Sequence, residues 1–162
     1  MSADGAVQDP GRSFVLTVEP FDAPDAQRLR AVARMEVDRL YGGYPDRGAP
    51  LDSSAVIVTV VARDSAGAPL GCGSLTAVDD GVLELRRFFV RSDARGTGVA
   101  AALLAELESA ARAGGAPAMV CEVADRQAAA IRFFEREGFS RIASFGPYAA
   151  NAESVCFAKT LL

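Results

Sequence analysis

Seven short stretches of the chain are rich in apolar residues. In most of these stretches the apolar residues alternate with polar or small residues, a pattern typical of β-strands. Short turn-forming segments join the second stretch to the third and the third to the fourth, so we expect these three to pair antiparallel. The predicted strands are residues 14–19, 55–63, 69–78, 82–90, 117–123, 139–145 and 154–161.

Three further segments repeat apolar residues at spacings of three and four, which predicts helices with one buried face. The first follows FDAPDA, where Asp22 is the expected N-cap and Pro24 lies in the first turn, and it ends at Gly42. The third follows Asp125, its expected N-cap, and ends before Gly138.

The second helix follows ARGTGVA, residues 94–100. Leu103 and Leu107 lie on its apolar stripe, and Glu106 and Glu108 are expected to face outward. Residues 1–12 carry no periodic apolar positions and are predicted to be a mobile tail. Residues 13–162 then form a single domain with the element order βαβββαβαββ.

Charge and composition exclude several classes of protein. The 162 residues are 50% hydrophobic and carry 17 basic and 21 acidic side chains, a net charge of −4, without a lysine or arginine cluster. Nucleic acid is therefore an unexpected partner. No apolar stretch approaches the roughly 20 residues of a membrane span, so we expect no membrane association. The absence of histidine excludes a histidine-based triad or metal site, and no metal is predicted.

The cysteines Cys72, Cys121 and Cys156 are odd in number, widely spaced and without a CxxC pair. This usage indicates free thiols in a reducing compartment rather than a disulfide framework. The N-terminus also lacks the basic and apolar regions of a signal peptide. The sequence therefore predicts a cytoplasmic protein.

The glycines of ARGTGVA stand where a helix begins. Unpaired N–H groups at a helix N-terminus attract anions, and glycines let a phosphate approach the backbone. An ordinary strand-to-helix turn would use glycine equally well. The segment lacks the GK[ST] of a P-loop and the third glycine of a dinucleotide-binding fingerprint.

Strand VLELRRFFV, turn RSDARGTGVA and helix AALLAELESAAR together resemble the acetyl-CoA-binding core of the GNAT superfamily of N-acetyltransferases. The family signature Q/R-x-x-G-x-G/A is matched by Arg95, Gly98 and Ala100. The later segment RQAAAIRFFEREGF is similar to the second signature, N-x-x-A-x-x-x-Y-E-x-x-G-F. The residues in place there are Ala130, Glu135, Gly138 and Phe139.

The resemblance implies an α/β (α+β) fold whose central mixed, mostly antiparallel sheet of six to seven strands is flanked by helices and contains a splayed pair of parallel strands. It implies acetyl-CoA as co-substrate and direct transfer of the acetyl group to a primary amine, without an acyl-enzyme. The backbone of Phe88, Phe89 and Val90 would hydrogen-bond to pantetheine like an added strand, and Val90 N–H would polarise the acetyl carbonyl. The cofactor-binding residues implied are Phe88, Phe89, Val90, Arg95, Gly96, Thr97, Gly98, Val99, Ala100, Gln127, Ala130 and Phe134.

Two positions depart from the second signature: Phe134 replaces the tyrosine that many relatives use as general acid, and Gln127 replaces asparagine. Tyr148 is the candidate substitute acid, although it could simply pack on Pro147. Without histidine, the general base should be a carboxylate. The candidates are Glu84 and the weaker Glu122, each of which could instead form an ion pair with Arg86, Arg87 or Arg126.

The acceptor pocket is expected to be lined by Tyr41, Tyr44 and the loop 147–153, unless these are surface turns only. A small-molecule amine is the favoured acceptor. The alternatives are a protein lysine or N-terminal amine, or a catalytically silent acyl-CoA sensor. By resemblance to the family, a homodimer through the C-terminal strands is possible.

Overall fold

The computed structural model of the protein describes residues 13–43 and 50–162. The predicted tail 1–12 and Tyr44 lie outside these residues. The strands of the described chain form one seven-stranded sheet in the order β1-β2-β3-β4-β5-β7-β6. Their bounds are Phe14–Val18 (β1), Val56–Asp64 (β2), Pro69–Ala77 (β3), Leu83–Val90 (β4), Ala118–Ala124 (β5), Ser140–Ile142 (β6) and Ser154–Thr160 (β7).

Strands β4 and β5 are parallel, whereas all other neighbours in the described sheet are antiparallel. The three helices are α1 (Pro24–Tyr41), α2 (Val99–Ala113) and α3 (Ala128–Arg136). The predicted mixed sheet with flanking helices is confirmed. Within the described ranges, none of the helices combines the length and hydropathy needed to cross a bilayer.

Two hydrophobic cores cover the two faces of the sheet. Val60 and Ala62 belong to the larger core, which includes α2 residues and Phe134 of α3, while Val61 belongs to the smaller core with Leu29 of α1. Since successive strand residues point to opposite faces, α1 lies on one face of the sheet and α2 on the other.

Both predicted N-caps are wrong. Ala23 is the N-cap of α1 and Gln127 that of α3, so Asp22 and Asp125 lie one and two residues too early. The Asp125 carboxylate instead accepts a hydrogen bond from the Tyr41 hydroxyl at 2.5 Å. An acidic residue near a helix start predicts the start but not which residue adopts the cap conformation.

Glu108 does not face outward as predicted, because its side chain is buried beneath a strand that comes late in the chain. Lys159 of β7 donates a hydrogen bond to it at 2.9 Å, and the Arg112 guanidinium lies 3.8 Å away. Helical periodicity in α2 cannot reveal this arrangement, because the partner is 51 residues further along the chain.

Strand β4 contains a β-bulge. The pairs Cys72–Phe89 and Ser74–Arg86 enclose one residue on β3 but two on β4, so β4 carries an extra residue. Within this interval Arg87 has a φ of 55°, in the left-handed region that few non-glycine residues adopt. The bulge changes the face of the sheet on which the following side chains lie.

The core membership of β4 residues shows this change of face. Leu85 and Phe88 both pack in the larger core although they are three positions apart, whereas an uninterrupted strand places only even spacings on one face. Phe89, one position later, belongs to the smaller core.

Gly71 of β3 lies where that strand passes the end of bulged β4. A Cβ at Gly71 would be 2.7 Å from the Phe89 carbonyl oxygen and 3.1 Å from Leu103 Cδ1. We therefore expect Gly71→Ala to lower the free energy of unfolding by about 1–3 kcal/mol, measured by urea denaturation.

Gly114→Ala is the matched control for this prediction. Gly114 has a φ of −82°, and the nearest atom to its added Cβ, the Ala111 carbonyl oxygen, is 3.6 Å away. The control should leave stability unchanged or raise it by up to about 1 kcal/mol. Equal effects of the two substitutions would contradict the close approach of β3 and β4.

Candidate active site

Strands β4 and β5 pair over only two residues and then diverge. The parallel register consists of Leu83 with Met119 and Glu84 with Val120, whereas β5 continues to pair with β7 up to Ala124. The second half of β4 therefore has a strand neighbour on one side only. Beyond Glu84 a gap opens between the two strands.

The backbone of Val90 points into this gap. Arg91 N–H donates to the Leu70 carbonyl at 2.8 Å, and alternate residues of an antiparallel strand direct their peptide groups to opposite sides. Phe89 therefore directs its peptide groups to β3, and Val90 directs its own away from β3. The prediction that Phe89 contributes backbone groups to this gap does not fit the register.

The N-terminus of α2 forms an exposed cradle of backbone N–H groups. Gly98 is the N-cap with a φ of 89°, and its carbonyl accepts the first helical hydrogen bond, from Ala102, at 3.0 Å. The N–H groups of residues 99–101 have no partner within the helix. No atom lies within 4 Å of a Cβ built on Gly96 or Gly98, so the cradle has room for an anion.

Arg95 and Thr97 hold the loop that precedes this cradle. The Arg95 guanidinium donates to the Val90 carbonyl at 3.1 Å and forms an ion pair of 2.7 Å with Glu36 of α1. The Thr97 hydroxyl donates to the Ala94 carbonyl. Arg95 therefore brings charge near the cradle and also ties the loop to α1.

A cavity of about 1160 Å³ joins the gap to the cradle and to a space beneath α1. Thr97, Val99 and Tyr41 do not line it. The predicted site residues that line it are Glu84, Phe88, Phe89, Val90, Arg95, Gly96, Gly98, Ala100, Glu122, Gln127, Ala130, Phe134 and Tyr148.

Two of the predicted catalytic residues are in direct contact inside this cavity. The Tyr148 hydroxyl donates a hydrogen bond to Glu84 Oε2 at 2.7 Å, joining the turn Gly146–Tyr148 to the middle of the sheet. Both residues are buried, with 7% of Glu84 and 5% of Tyr148 exposed. The Tyr148 ring packs edge-on against Phe145, with ring centroids 5.3 Å apart.

Burial raises the pKa of the Glu84 carboxyl above its usual range, although the hydrogen bond from Tyr148 opposes the shift. Arg86 lies 3.9 Å from Glu84 Oε2, so the predicted ion pair is loose. Burial and the neighbouring Glu84 together raise the pKa of the Tyr148 hydroxyl. The pair thus combines a carboxylate of increased basicity with a hydroxyl of decreased acidity.

The weaker candidate base, Glu122 of β5, also lines the cavity. Its carboxylate accepts a hydrogen bond from the Ser154 hydroxyl at 2.9 Å. Tyr41 lies elsewhere: its hydroxyl donates to Asp125 and accepts from Arg126 N–H at 2.8 Å, joining the end of α1 to the loop before α3.

Phe134, at the position of the family tyrosine, packs within a cluster of aromatic rings. Its ring centroid is 5.2 Å from that of Phe133, 5.3 Å from Phe139 and 5.8 Å from Phe88. Phe134 has no hydroxyl group that could act as an acid. Its ring packs in the larger core and also lines the cavity.

Sequence reasoning missed the arginines of this site. Seven arginines and three glutamates line the cavity, although the whole chain has a net charge of −4. The arginines are scattered over five segments, so no cluster along the chain signals them. They are Arg30, Arg34, Arg86, Arg87, Arg95, Arg126 and Arg136.

Comparison with known proteins gives consistent matches. The model of the Acetyltransferase (GNAT) family matches residues 28–139. A curated protein of Azospirillum brasilense named IAA acetyltransferase is 36% identical over 103 residues, which are 63% of this chain and 67% of that protein.

Solved structures share the fold. A structure from Klebsiella pneumoniae assigned as an acyl-CoA N-acyltransferase is 26% identical, with a TM-score of 0.80 over 92% of this chain and 98% of that one. A GNAT family acetyltransferase of Elizabethkingia anophelis with acetyl-CoA bound is 12% identical, with a TM-score of 0.67 over 91% of this chain and 98% of that one. This second likeness concerns the fold alone.

The contact between Glu84 and Tyr148 predicts how the Glu84 carboxyl titrates. Its pKa should lie above the ordinary value for glutamate, and Tyr148→Phe should raise it further, because this substitution removes the hydrogen bond that favours the ionised form. Carboxyl ¹³C NMR over a pH series measures this pKa, with the signal assigned by its loss in Glu84→Gln.

Tyr41→Phe is the matched control, since it also removes a hydroxyl bonded to a carboxylate, but outside the cavity. It should leave the Glu84 signal unchanged. An ordinary pKa for Glu84, or a lower pKa in Tyr148→Phe, would contradict the described contact.

Proposed function

The chain belongs to the GNAT acetyltransferase family and is an acetyl-CoA-dependent acyltransferase, and we propose that it acetylates a primary amine of a small molecule by direct attack, with Glu84 as general base. The observation that supports this proposal most strongly is the buried Glu84–Tyr148 pair, which lies in the cavity that continues into the gap between β4 and β5.

The described residues fit acetyl-CoA in three places. The cradle at Gly96 and Gly98 offers N–H groups and space for the pyrophosphate. Val90 N–H in the gap can bond to the carbonyl of the acetyl group. Gln127, Ala130 and Phe134 line the same cavity. Bound there, acetyl-CoA supplies an acetyl group activated as a thioester.

Glu84 is suited to remove a proton from the acceptor amine. An amine attacks only after losing its proton, and a base works best when its pKa lies near the working pH. Burial raises the pKa of Glu84 above its ordinary value and so shifts it toward the working pH. Oε2 would hold the proton, while the Tyr148 hydroxyl fixes the orientation of the carboxylate.

Tyr148 remains the candidate for the acid predicted from the sequence. As long as Glu84 is ionised, the Tyr148 hydroxyl keeps its proton and donates it in a hydrogen bond to Glu84, so the pKa of the hydroxyl is raised. Once Glu84 Oε2 has taken up a proton, this electrostatic contribution disappears and the hydroxyl becomes a better donor. The two groups would thus act in sequence: Glu84 takes the proton of the amine, Tyr148 then gives its hydroxyl proton to the departing coenzyme A thiolate, and the proton on Glu84 returns to the tyrosine oxygen along their hydrogen bond.

Two observations support a small-molecule acceptor. The side chains Glu84 and Tyr148 are almost completely buried, so an amine must enter the cavity to reach them. The name of the Azospirillum relative, IAA acetyltransferase, also points to a small molecule. A lysine on a folded protein would need a more exposed base.

Glu84→Gln should lower kcat/KM by about 100-fold or more, the usual contribution of a general base, and leave acetyl-CoA binding intact. Wild-type kcat/KM should fall as the pH is lowered through the pKa of Glu84, because the protonated carboxyl cannot accept a proton. Release of the coenzyme A thiol with a panel of primary amines measures both effects.

Glu122→Gln, the same change on the neighbouring strand of the cavity, is the control and should reduce kcat/KM much less. If Glu122→Gln were the inactive variant, the base would be Glu122. If no amine were acetylated while acetyl-CoA bound, the chain would be a silent acyl-CoA sensor and the proposal would be wrong.

Gly98→Glu should weaken acetyl-CoA binding by about tenfold or more, because it places a carboxylate in the cradle beside the pyrophosphate. Isothermal calorimetry measures the Kd. The control is Gly67→Glu, since Gly67 has a similar φ of 84°, equally open space, and a position in the β2–β3 turn outside the cavity. Equal binding by the two variants would place the phosphates elsewhere.

A further inference from the structure

The part of the cavity next to Glu84 is strongly cationic. Arg86 of β4 lies 3.9 Å from Glu84, and Arg87 of β4 and Arg30 and Arg34 of α1 line the same cavity. A cavity wall rich in guanidinium groups attracts anions and repels ammonium groups that carry no compensating charge. The wall around the proposed base therefore selects for the charge of the acceptor.

Arg30 and Arg87 are the arginines best suited to bind an anion, because their charges are not neutralised by an ion pair. Within residues 13–43 and 50–162, neither guanidinium forms a salt bridge with a carboxylate, in contrast to Arg95 with Glu36. Arg30 lies over the Phe21 ring, 3.8 Å from its centroid, so its position is fixed by stacking.

The two guanidinium groups are close enough to influence each other. Burial lowers the pKa of Arg30, and the positive charge of Arg87 lowers it further, while the negative charge of Asp22 opposes the shift. Arg87 also acts electrostatically on Glu84. Arg87 thus acts electrostatically on both Glu84 and Arg30, and an anion bound in the cavity that all three line would relieve the repulsion of the two cations.

The backbone of Arg87 points to the same conclusion. Holding a non-glycine residue in the left-handed region costs about 1 kcal/mol or more, and such strain is concentrated at functional sites. Glycine or asparagine would adopt a φ of 55° at a lower cost. The arginine stands at the bulge, where its side chain lines the cavity.

The phosphates of acetyl-CoA are not the anion that this pair would bind. The cradle follows the end of β4 at Val90, and Arg87 lies three residues earlier, roughly 10 Å back along the strand at about 3.3 Å per residue. Arg87 therefore precedes Val90 on the Glu84 side of the strand, whereas the cradle for the pyrophosphate lies beyond Val90.

We propose that Arg30 and Arg87 bind a carboxylate of the acceptor, so that the substrate is an amine that carries a carboxylate, such as an amino acid. This proposal rests on the proposed function for the identity of the reaction. The charged fork of each arginine matches a carboxylate geometrically, and Glu84, on the same strand as Arg87 and in the same cavity, would receive the proton of the amine.

The kinetic test compares each of several amino acids with its amide, which differs only by the loss of the negative charge. The amino acids should be preferred in kcat/KM by about tenfold or more. Arg87→Asn, which suits the left-handed backbone, and Arg30→Gln should both remove this preference and leave the KM for acetyl-CoA unchanged. Arg132→Gln, an exposed arginine outside the cavity, is the control and should keep the preference.

A binding test gives a result that does not depend on turnover. The side-chain Nε–H signal of Arg87 in ¹⁵N NMR, assigned by its absence in Arg87→Asn, is followed during titration with N-acetylglycine and with N-acetylglycinamide at constant ionic strength. The acid should shift the signal until saturation, and the amide should not.

The outcomes separate the two proposals. Equal preference for amino acids and amides, or an Arg87 signal that does not respond to the acid, would overturn the carboxylate site even if amines are acetylated. Saturable binding of the acid, together with an absence of turnover for every amine, would support the carboxylate site and contradict the proposed reaction.

Discussion

The arrangement of the site depends on one constraint, the divergence of β4 from β5 after two paired residues. A parallel pair that continued to Val90 would use the peptide groups of β4 for the sheet and close the cavity. The bulge at Arg87 accompanies the divergence and turns Phe88 toward the larger core. Because β3 stays paired with the end of β4, the strand remains fixed while its other edge is open.

The opened sheet brings together groups that lie far apart in the chain. Glu84 precedes the bulge, Arg87 forms it, and Val90 follows it, so one strand contributes the proposed base, a cation and a backbone donor. Tyr148 comes from a turn 64 residues later and reaches Glu84 because β5 and β7 carry that turn back to the sheet. The chemistry thus depends on the sheet order rather than on a contiguous motif.

The buried carboxylate also has a consequence for stability. Burial raises the pKa of Glu84 in the folded chain above its value in the unfolded chain. The contribution of Glu84 to the free energy of unfolding is therefore complete when the pH is below the pKa of the unfolded chain. It is lost as the pH rises through the pKa of the folded chain, because the carboxyl must then ionise in a buried site. Ionised Glu84, the form that the proposed base requires, is therefore the less stable form of the folded protein.

The order of strands and helices could be predicted from the sequence because apolar periodicity and glycine turns are local signals. The two signatures likewise identified the family, and the glycines of ARGTGVA predicted the helix N-terminus at Gly98. The burial of Glu108 and the clustering of arginines could not be predicted, because each depends on residues distant in sequence. The N-caps at Ala23 and Gln127 were missed because an acidic residue near a helix start does not show which residue adopts the cap conformation. Glu84 and Tyr148 were each predicted for their chemistry, but only the fold shows that they touch.

The most direct test of the account is a ¹⁵N NMR titration of the wild-type protein with acetyl-CoA. If the gap and the cradle form one site, the amide signals of Val90, Gly96 and Gly98 should shift together and saturate at one concentration, while that of Gly67 stays constant. If Gly96 and Gly98 shifted without Val90, acetyl-CoA would bind outside the gap between β4 and β5. That result would contradict the central claim that the divergence of the two strands creates the active site.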